Sequence, residues 1–405
     1  MREMKIGMLC CWPTMRIYPI YSHSLRESLQ SITGNKVPVI TTDCACFEPE
    51  KALDSDYEYI DLRYVNRQSS HNKVKTEVKK LVYPFIEKRR GEAFAAHARD
   101  YDVVDFQQSS YAFGYESLKA WLEADSRAKR IVTIHKVDAI QKERPELNRV
   151  YSKADGVIVF SRFTKEGLVR DGVDPGKIAV IQHGTALPAM RDTVRDQAIL
   201  FCGSPIPRIK GFEQAVVALR MLRRQGLELK VLVYGFFVTE EKDHAIGLAK
   251  AEGVDDLLSW TSFTSEEELI AEHQRSLVCL VPYTGYAGYF PSAYSMGNGV
   301  PVVATDTMGH AEYIGAPGAA AGGAAGTAAA PGAGAAGLLV TPGSAEELAA
   351  ATAKVLSDDG LRRELGAAGR RRAEDSLSWH RVAEQTLAVF EALLDGRPAA
   401  PAEGS

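Results

Sequence analysis

This 405-residue chain is short of several features, and each shortage removes a class of function. Its six cysteines include no pair at the two-residue spacing that suits zinc or a redox couple. Cys44 and Cys46, in the loop-like TDCACF, read as reduced thiols in preference to nucleophiles, a role that would need a partnering base. Charge of one sign is also scarce: 48 basic residues face 52 acidic ones, a formal net charge of -4, so no global field calls for nucleic acid. No apolar run is long enough to span a bilayer. The opening MREMKIGMLCCW runs straight into a strand and lacks the charged, apolar and cleavage regions of a signal peptide. These readings predict a cytoplasmic protein with reduced thiols.

What remains is an ordinary globular composition, 45% hydrophobic and 25% charged, at a length that suggests two or three domains. Short β-branched runs at Met4 to Cys11, Lys36 to Thr42, Tyr101 to Phe106, Arg130 to Ile134 and Gly156 to Phe160 alternate with helix-compatible segments. That alternation predicts βαβ units and a parallel sheet. Lys73 to Arg90 is strongly basic, with Val74, Val78, Leu81 and Val82 near helical spacing. A solvated helix face is favoured there over contact with an acidic membrane or an anionic acceptor. After the polar Leu187 to Gln197 the pattern restarts, with a strand at Ala198 to Cys202 and a helix at Phe212 to Arg224.

The most informative stretch is Leu277 to Ile314. An apolar run ends at Pro282, a Gly/Tyr loop follows, a helix opens at Pro291, and a second strand closes at Thr305. In an open parallel sheet ligands gather beyond the carboxyl ends of the strands. A helix beginning there presents unpaired N–H groups to an anion. Earlier, Gly203 to Gly211 puts a glycine at a strand end and places Arg208 and Lys210 within a turn of a helix N-terminus, where a diphosphate could sit. The uncharged Ala/Gly stretch 315–337 reads as a flexible insertion.

Several landmarks, in order, resemble glycosyltransferase family 4: ADGVIVFSRFTKEGL, KIAVIQHGTAL, FCGSPIPRIKGFEQAVVAL, VLVYG, VPYTGYAGYFPSAYSMGNGVPVVATDTMGHAEYI and GLLVTPGSAEELAAATAKVLSD. The resemblance implies an α/β protein of the GT-B fold, two Rossmann-like domains facing a cleft. The expected acceptor domain is 1–190, the nucleotide-sugar domain 191–378, and 379–397 a C-terminal helix packing back on the first domain. It implies a retaining transfer of sugar from a nucleotide-diphosphate donor to a small-molecule or lipid-linked acceptor, with no cofactor, no metal and no nucleic acid.

The resemblance assigns Lys210 to the donor diphosphate with Arg208 beside it, and His135 to the donor sugar. Gly203, Tyr286, Gly288, Phe290, Ser292, Tyr294 and Glu312 fall on its donor-binding segments. His183 reads as architectural. Two departures stand out. Aligned on Pro282 and Gly299, the family's paired glutamates become Tyr286 and Tyr294, and its glycine-rich first loop is replaced by CCWPTMR. These departures keep open an atypical transferase of secondary metabolism, using an unusual activated sugar or a nitrogen or sulfur acceptor, and a catalytically silent sugar-nucleotide binding protein. Asp100-Tyr101-Asp102 precedes a strand and reads as a solvated turn, with no metal role.

Overall fold

The computed structural model describes residues 4–10, 19–42, 57–60, 73–108, 115–135, 148–201, 210–235, 239–262, 265–285, 288–315 and 334–400. It divides into two compact units, Met1–Ile181 with Val382–Ser405, and Gln182–Arg381.

The first unit is built on short apolar strands that return through crossovers, which parallel pairing requires. The strands are β1 (Ile6–Cys10), β2 (Val39–Thr42), β3 (Tyr57–Ile60), β4 (Val103–Gln108), β5 (Lys129–Ile134), β6 (Gly156–Val159) and β7 (Ile178–Val180). They form one sheet in the order β3-β2-β1-β4-β5-β6-β7, with every neighbouring pair parallel. Around it run α1 (Pro19–Thr33), α2 (Lys73–His97), α3 (Tyr115–Glu123) and α4 (Arg162–Arg170). Leu9, Val104, Phe106, Val132 and Val157 share a core with Phe94 of α2 and Trp121 of α3. Each such fully buried side chain contributes roughly 1.5–3 kcal/mol. Helices α2 and α3 approach closely because Gly91 has no side chain: a Cβ there would lie 2.2 Å from the Ser117 carbonyl oxygen.

The basic helix expected at Lys73 to Arg90 is present and extends to His97. The side chains of Val74, Val78 and Leu81 lie outside the described residues. Val82 is 46% exposed, while Glu87, Arg90, Phe94 and Ala95 are buried. Glu87 and Arg90 pair at 3.0 Å, and the Ser117 hydroxyl donates to the same carboxylate. The Asp100-Tyr101-Asp102 turn ties the starts of the central strands β1 and β4 together: Asp102 Oδ2 accepts the Lys5 N–H at 2.8 Å, and Lys5 Nζ lies 4.9 Å from the Tyr101 ring centroid.

The second unit repeats the plan with β8 (Gln197–Phe201), β9 (Lys230–Tyr234), β10 (Leu258–Thr261), β11 (Ser276–Val281), β12 (Val302–Thr305) and β13 (Gly337–Val340). Their order is β10-β9-β8-β11-β12-β13, again parallel throughout. The helices are α5 (Phe212–Arg224), α6 (Thr239–Glu252), α7 (Glu266–Gln274), α8 (Phe290–Gly297), α9 (His310–Ile314), α10 (Ala345–Ser357) and α11 (Asp359–Arg372), and the last helix, α12 (Trp379–Leu394), has only its first three residues in this unit. Helix α5 shows why this sequence is helical. Phe212, Val216, Leu219 and Leu222 recur at helical spacing and are all buried. Arg223 and Arg224 sit in its last turn, where positive charge suits the dipole. Gly226, at φ 77°, then ends it while the Leu227 N–H reaches back to the Leu222 carbonyl at 3.0 Å.

The expected linker and the described end of the expected insertion are both held in place. In the polar stretch Leu187 to Gln197, Arg195 donates to the carbonyls of Ser276 (3.2 Å) and Gly299 (3.1 Å), and Arg370 donates to that of Pro188 at 2.8 Å. The Ala/Gly stretch lies mostly outside the described residues, yet its end belongs to the core. Ala335 and Ala336 are buried, and Gly337 begins β13, where a Cβ would meet the Val302 carbonyl oxygen at 2.0 Å. The chain from Val382 onward groups with the first unit, where Leu393 fills the space left by Gly156.

Candidate functional site

In a doubly wound sheet the natural ligand position is the point where strand order reverses. In the second unit this falls between β8 and β11, which lead on to β9 and β12 in opposite directions. Two loop ends meet there. Gly211, at φ 70°, packs so tightly on Pro282 that a Cβ would lie 1.7 Å from the Pro282 carbonyl oxygen. Only glycine permits this approach, and it seats the start of α5 on the end of β11. Lys210 is therefore held at the switch point, 9% exposed, with Nζ 4.1 Å from the centroid of the Tyr283 ring. That is a cation–π distance.

The turn after β12 closes the other side. Met308 has φ 52°, the one positive value at a non-glycine among the described residues, and Gly309 follows at 90°. The Tyr289 hydroxyl donates to the Met308 carbonyl and holds this strained turn. Tyr289 also stacks on Tyr313, centroids 4.5 Å apart and planes 4° from parallel. His310 is fully buried between the rings of Tyr283 (5.9 Å) and Tyr289 (5.4 Å), with Nδ1 3.3 Å from Ser292 Oγ. Its Nε2 is buried with no hydrogen-bond partner among the described residues. Burial, then the charge on Lys210, drives its pKa down from 6.5 to about 3, so it is a neutral imidazole at physiological pH.

Of the expected donor residues, Lys210 and Ser292 meet in this cluster through Tyr283 and His310. Phe290 begins α8, whose N-terminus has no side-chain cap, and its ring lies 4.4 Å from Tyr294 and 5.8 Å from His183. Gly288 faces open space at its Cβ position. Tyr294 is fully buried, and its hydroxyl donates to Glu266 Oε1. Glu312 is on α9, and its carbonyl accepts from Arg372. Gly203, Arg208 and Tyr286 lie outside the described residues, as do Cys44 and Cys46. His183 is buried against Phe290 and Trp379. Its Nδ1 donates to the Gly184 carbonyl at 2.7 Å, and burial lowers its pKa to about 4.

His135 belongs to the first unit, immediately after β5. Its Nε2 donates to Gln107 Oε1 at 2.7 Å, and Gln107 Nε2 donates to Asp105 Oδ2 at 2.6 Å. Thr133 completes the chain by donating to Asp105 Oδ1 at 2.8 Å. Asp105 is wholly buried, which raises its pKa to about 7 against the opposing pull of these two hydrogen bonds. The rings of Tyr21 (4.7 Å) and Phe160 (5.2 Å) pack edge-on against the imidazole. The chain fixes both the tautomer and the orientation of His135.

Sequence reasoning did not single out Tyr283, His310, Glu266, Asp105 or Gln107. Two of them carried a signal: Asp105 and Gln107 interrupt an apolar parallel strand, VVDFQQ, in which polar residues need partners. Among the described residues no group of three His, Cys, Asp or Glu side chains could hold a metal ion, and no helix is long and apolar enough to cross a membrane. The second unit's arrangement, a lysine and an uncapped helix start around a switch point, is chemistry for an anion.

Comparison with known proteins finds likenesses over both units. A family model described as "Glycosyl transferases group 1" matches residues 192–372, and one described as "Glycosyltransferase Family 4" matches residues 21–187. An MMP alpha-(1->4)-mannosyltransferase of Mycolicibacterium hassiacum is 29% identical over 252 residues, 60% of this chain and 55% of that relative. The match thus spans about half the length of the relative. Among solved structures, sucrose-phosphate synthase from Thermosynechococcus elongatus superposes with a TM-score of 0.74 at 20% identity, covering 97% of this chain and 100% of that one. HepE of Anabaena, in complex with UDP, superposes with a TM-score of 0.67 at 15% identity over 96% of this chain and 100% of that one. One parallel-sheet unit falls under each family model: residues 192–372 match the group 1 glycosyltransferases and residues 21–187 match those of family 4, on a GT-B-like two-domain fold.

Proposed function

We propose that this protein transfers a sugar from a nucleoside-diphosphate donor to a small-molecule or lipid-linked acceptor, with retention at the anomeric carbon. The observation that carries the reading is Lys210, nearly buried at the switch point of the second unit and held over Tyr283. In the reaction the bond from the anomeric carbon to the diphosphate oxygen breaks, and the diphosphate leaves with the electron pair. The acceptor oxygen bonds to the same face of the sugar, and its proton passes to the departing phosphate. Lys210, together with Arg208 two positions earlier in the sequence and the start of α8, stabilises the charge that develops on the leaving group. His135, oriented by Gln107 and Asp105, is the group of the first unit proposed to orient the sugar. We place the reaction in the cytoplasm, where a buried free thiol such as Cys279 stays reduced.

Tyr286 and Tyr294, at positions where the family carries glutamates, favour a second reading: an atypical transferase of secondary metabolism with an unusual activated sugar or a nitrogen or sulfur acceptor. A donor panel separates the two. The HepE structures include one with UDP-glucose and the sequence relative is named a mannosyltransferase, so UDP-glucose and GDP-mannose are the first donors to assay. Turnover of a common hexose donor that collapses in Lys210→Ala supports the first reading. Turnover confined to other activated sugars supports the second. Nucleoside diphosphate binding with no sugar release or transfer from any donor contradicts both and leaves a silent binding protein.

A further inference from the structure

Glu266 stands apart from the surface acids around it. It opens α7, is exposed, and its Oε1 accepts the hydroxyl of the fully buried Tyr294; no other side chain or backbone group among the described residues bonds it. A buried phenol thus tethers one carboxylate oxygen and leaves the other to solvent. Two lines of packing bring this pair to the same end of the sheet as Lys210. Helix α8 carries Ser292, against His310, and two residues later Tyr294, so the lysine cluster and the tethered carboxylate flank one helix turn. Two residues after Lys210, Phe212 packs on Trp260 of β10 with centroids 5.5 Å apart, and Glu266 opens the next helix after β10 in the sequence. Tyr234, at the end of β9, lies within electrostatic reach of Tyr294.

A nucleoside diphosphate is a two-ended ligand, an anion joined to a ribose that carries a vicinal diol. We infer that Glu266 is the ribose-binding carboxylate of this protein, accepting the 2′- and 3′-hydroxyls, and that Tyr294 is the residue that positions it. The inference rests on the donor-site reading given above. A carboxylate suits a diol because it is acceptor-only and can take both hydroxyls through charge-assisted bonds. The tether matters because a free glutamate at a helix start would lose rotamer freedom on binding. Tyr294 has already imposed that order.

The test is calorimetric titration of the full-length protein with UDP, GDP and ADP, with the 2′-deoxy form of whichever binds, and with inorganic pyrophosphate. The parent protein is expected to prefer the ribonucleotide over its 2′-deoxy form. Glu266→Gln is expected to weaken the ribonucleotide about tenfold to a hundredfold, to abolish the ribose preference, and to leave pyrophosphate binding unchanged. Tyr294→Phe keeps the ring in the core and is expected to reduce the preference severalfold, again without touching pyrophosphate. A merely structural role for Tyr294 would weaken both probes together and overturns its assignment. If Glu266→Gln binds the ribonucleotide as tightly as the parent while Lys210→Ala weakens nucleotide and pyrophosphate alike, the inference is wrong and the donor site stands. If the parent binds no nucleoside diphosphate, the donor-site reading falls and the inference with it.

Discussion

The two units carry parallel sheets wound outward from an internal switch point, yet they bury opposite chemistry there. The first places an acid, an amide and an imidazole in series, Asp105, Gln107 and His135. The second places a lysine over a tyrosine beside a neutral histidine, Lys210, Tyr283 and His310. Topology selects the location in both cases, and side chains decide what the location attracts. The difference also runs through titration. In the first unit the buried group is a carboxylate that keeps its proton to about pH 7. In the second unit His183 and His273 are held neutral down to about 4, and His310 to about 3.

The sharpest way to break the comparison is at Lys210. Lys210→Ala is expected to reduce transfer on the order of a hundredfold or more while unfolding changes little, measured by donor turnover and by urea denaturation. Equal loss in a conservative change at an exposed lysine would show that the switch point of the second unit is not special.

Acid sharpens the comparison next. Unfolded histidine binds a proton near pH 6.5, and the buried ones do not until 3 to 4, so the unfolded state binds more protons in between. The second unit should therefore lose stability as pH falls from about 6.5 to 4, on the order of 3 kcal/mol for each of His183 and His273. Asp105 works the other way. Folded, it binds its proton to about 7 against an ordinary 3.8, so the first unit is favoured below about pH 4 and loses stability as pH rises to 7. Hydrogen exchange read separately over each unit between pH 4 and 8 is expected to show opposite trends. Asp105→Asn should flatten the trend of the first unit and leave that of the second unchanged.

Smaller effects test the packing. Gly211→Ala is expected to cost roughly 2–3 kcal/mol in urea denaturation, because a Cβ would collide with Pro282 at a backbone angle only glycine adopts freely. Tyr283→Leu removes the ring beneath the lysine and is expected to raise the donor KM severalfold, matching a loss of about 1 kcal/mol, with little change in kcat.

Much of the second unit was legible in its sequence. The helix Phe212–Arg224 follows from apolar spacing and a terminal glycine, and the strand, loop and helix around Pro291 follow from punctuation by Pro and Gly. Lys210 could be singled out because its neighbourhood is local. What escaped is non-local or disguised. β10, Leu258–Thr261, is only partly buried and reads LSWT, too polar to stand out as a strand. Glu266 follows it in a run of three glutamates and gains meaning only through Tyr294, 28 positions away. His310 sits in a five-residue helix whose conformation depends on the left-handed Met308 and Gly309, a geometry no periodicity encodes. The chain from Asp105 to His135 joins adjacent strands, so it becomes visible only once strand order is known.

The central claim is that the switch point of the second unit receives a diphosphate. A crystal structure with a bound nucleoside diphosphate tests it most directly. The expected result is a phosphate oxygen within about 3 Å of Lys210 Nζ, with the diphosphate over the start of α8. Phosphates bound elsewhere, with Lys210 still lying on the Tyr283 ring, would contradict it.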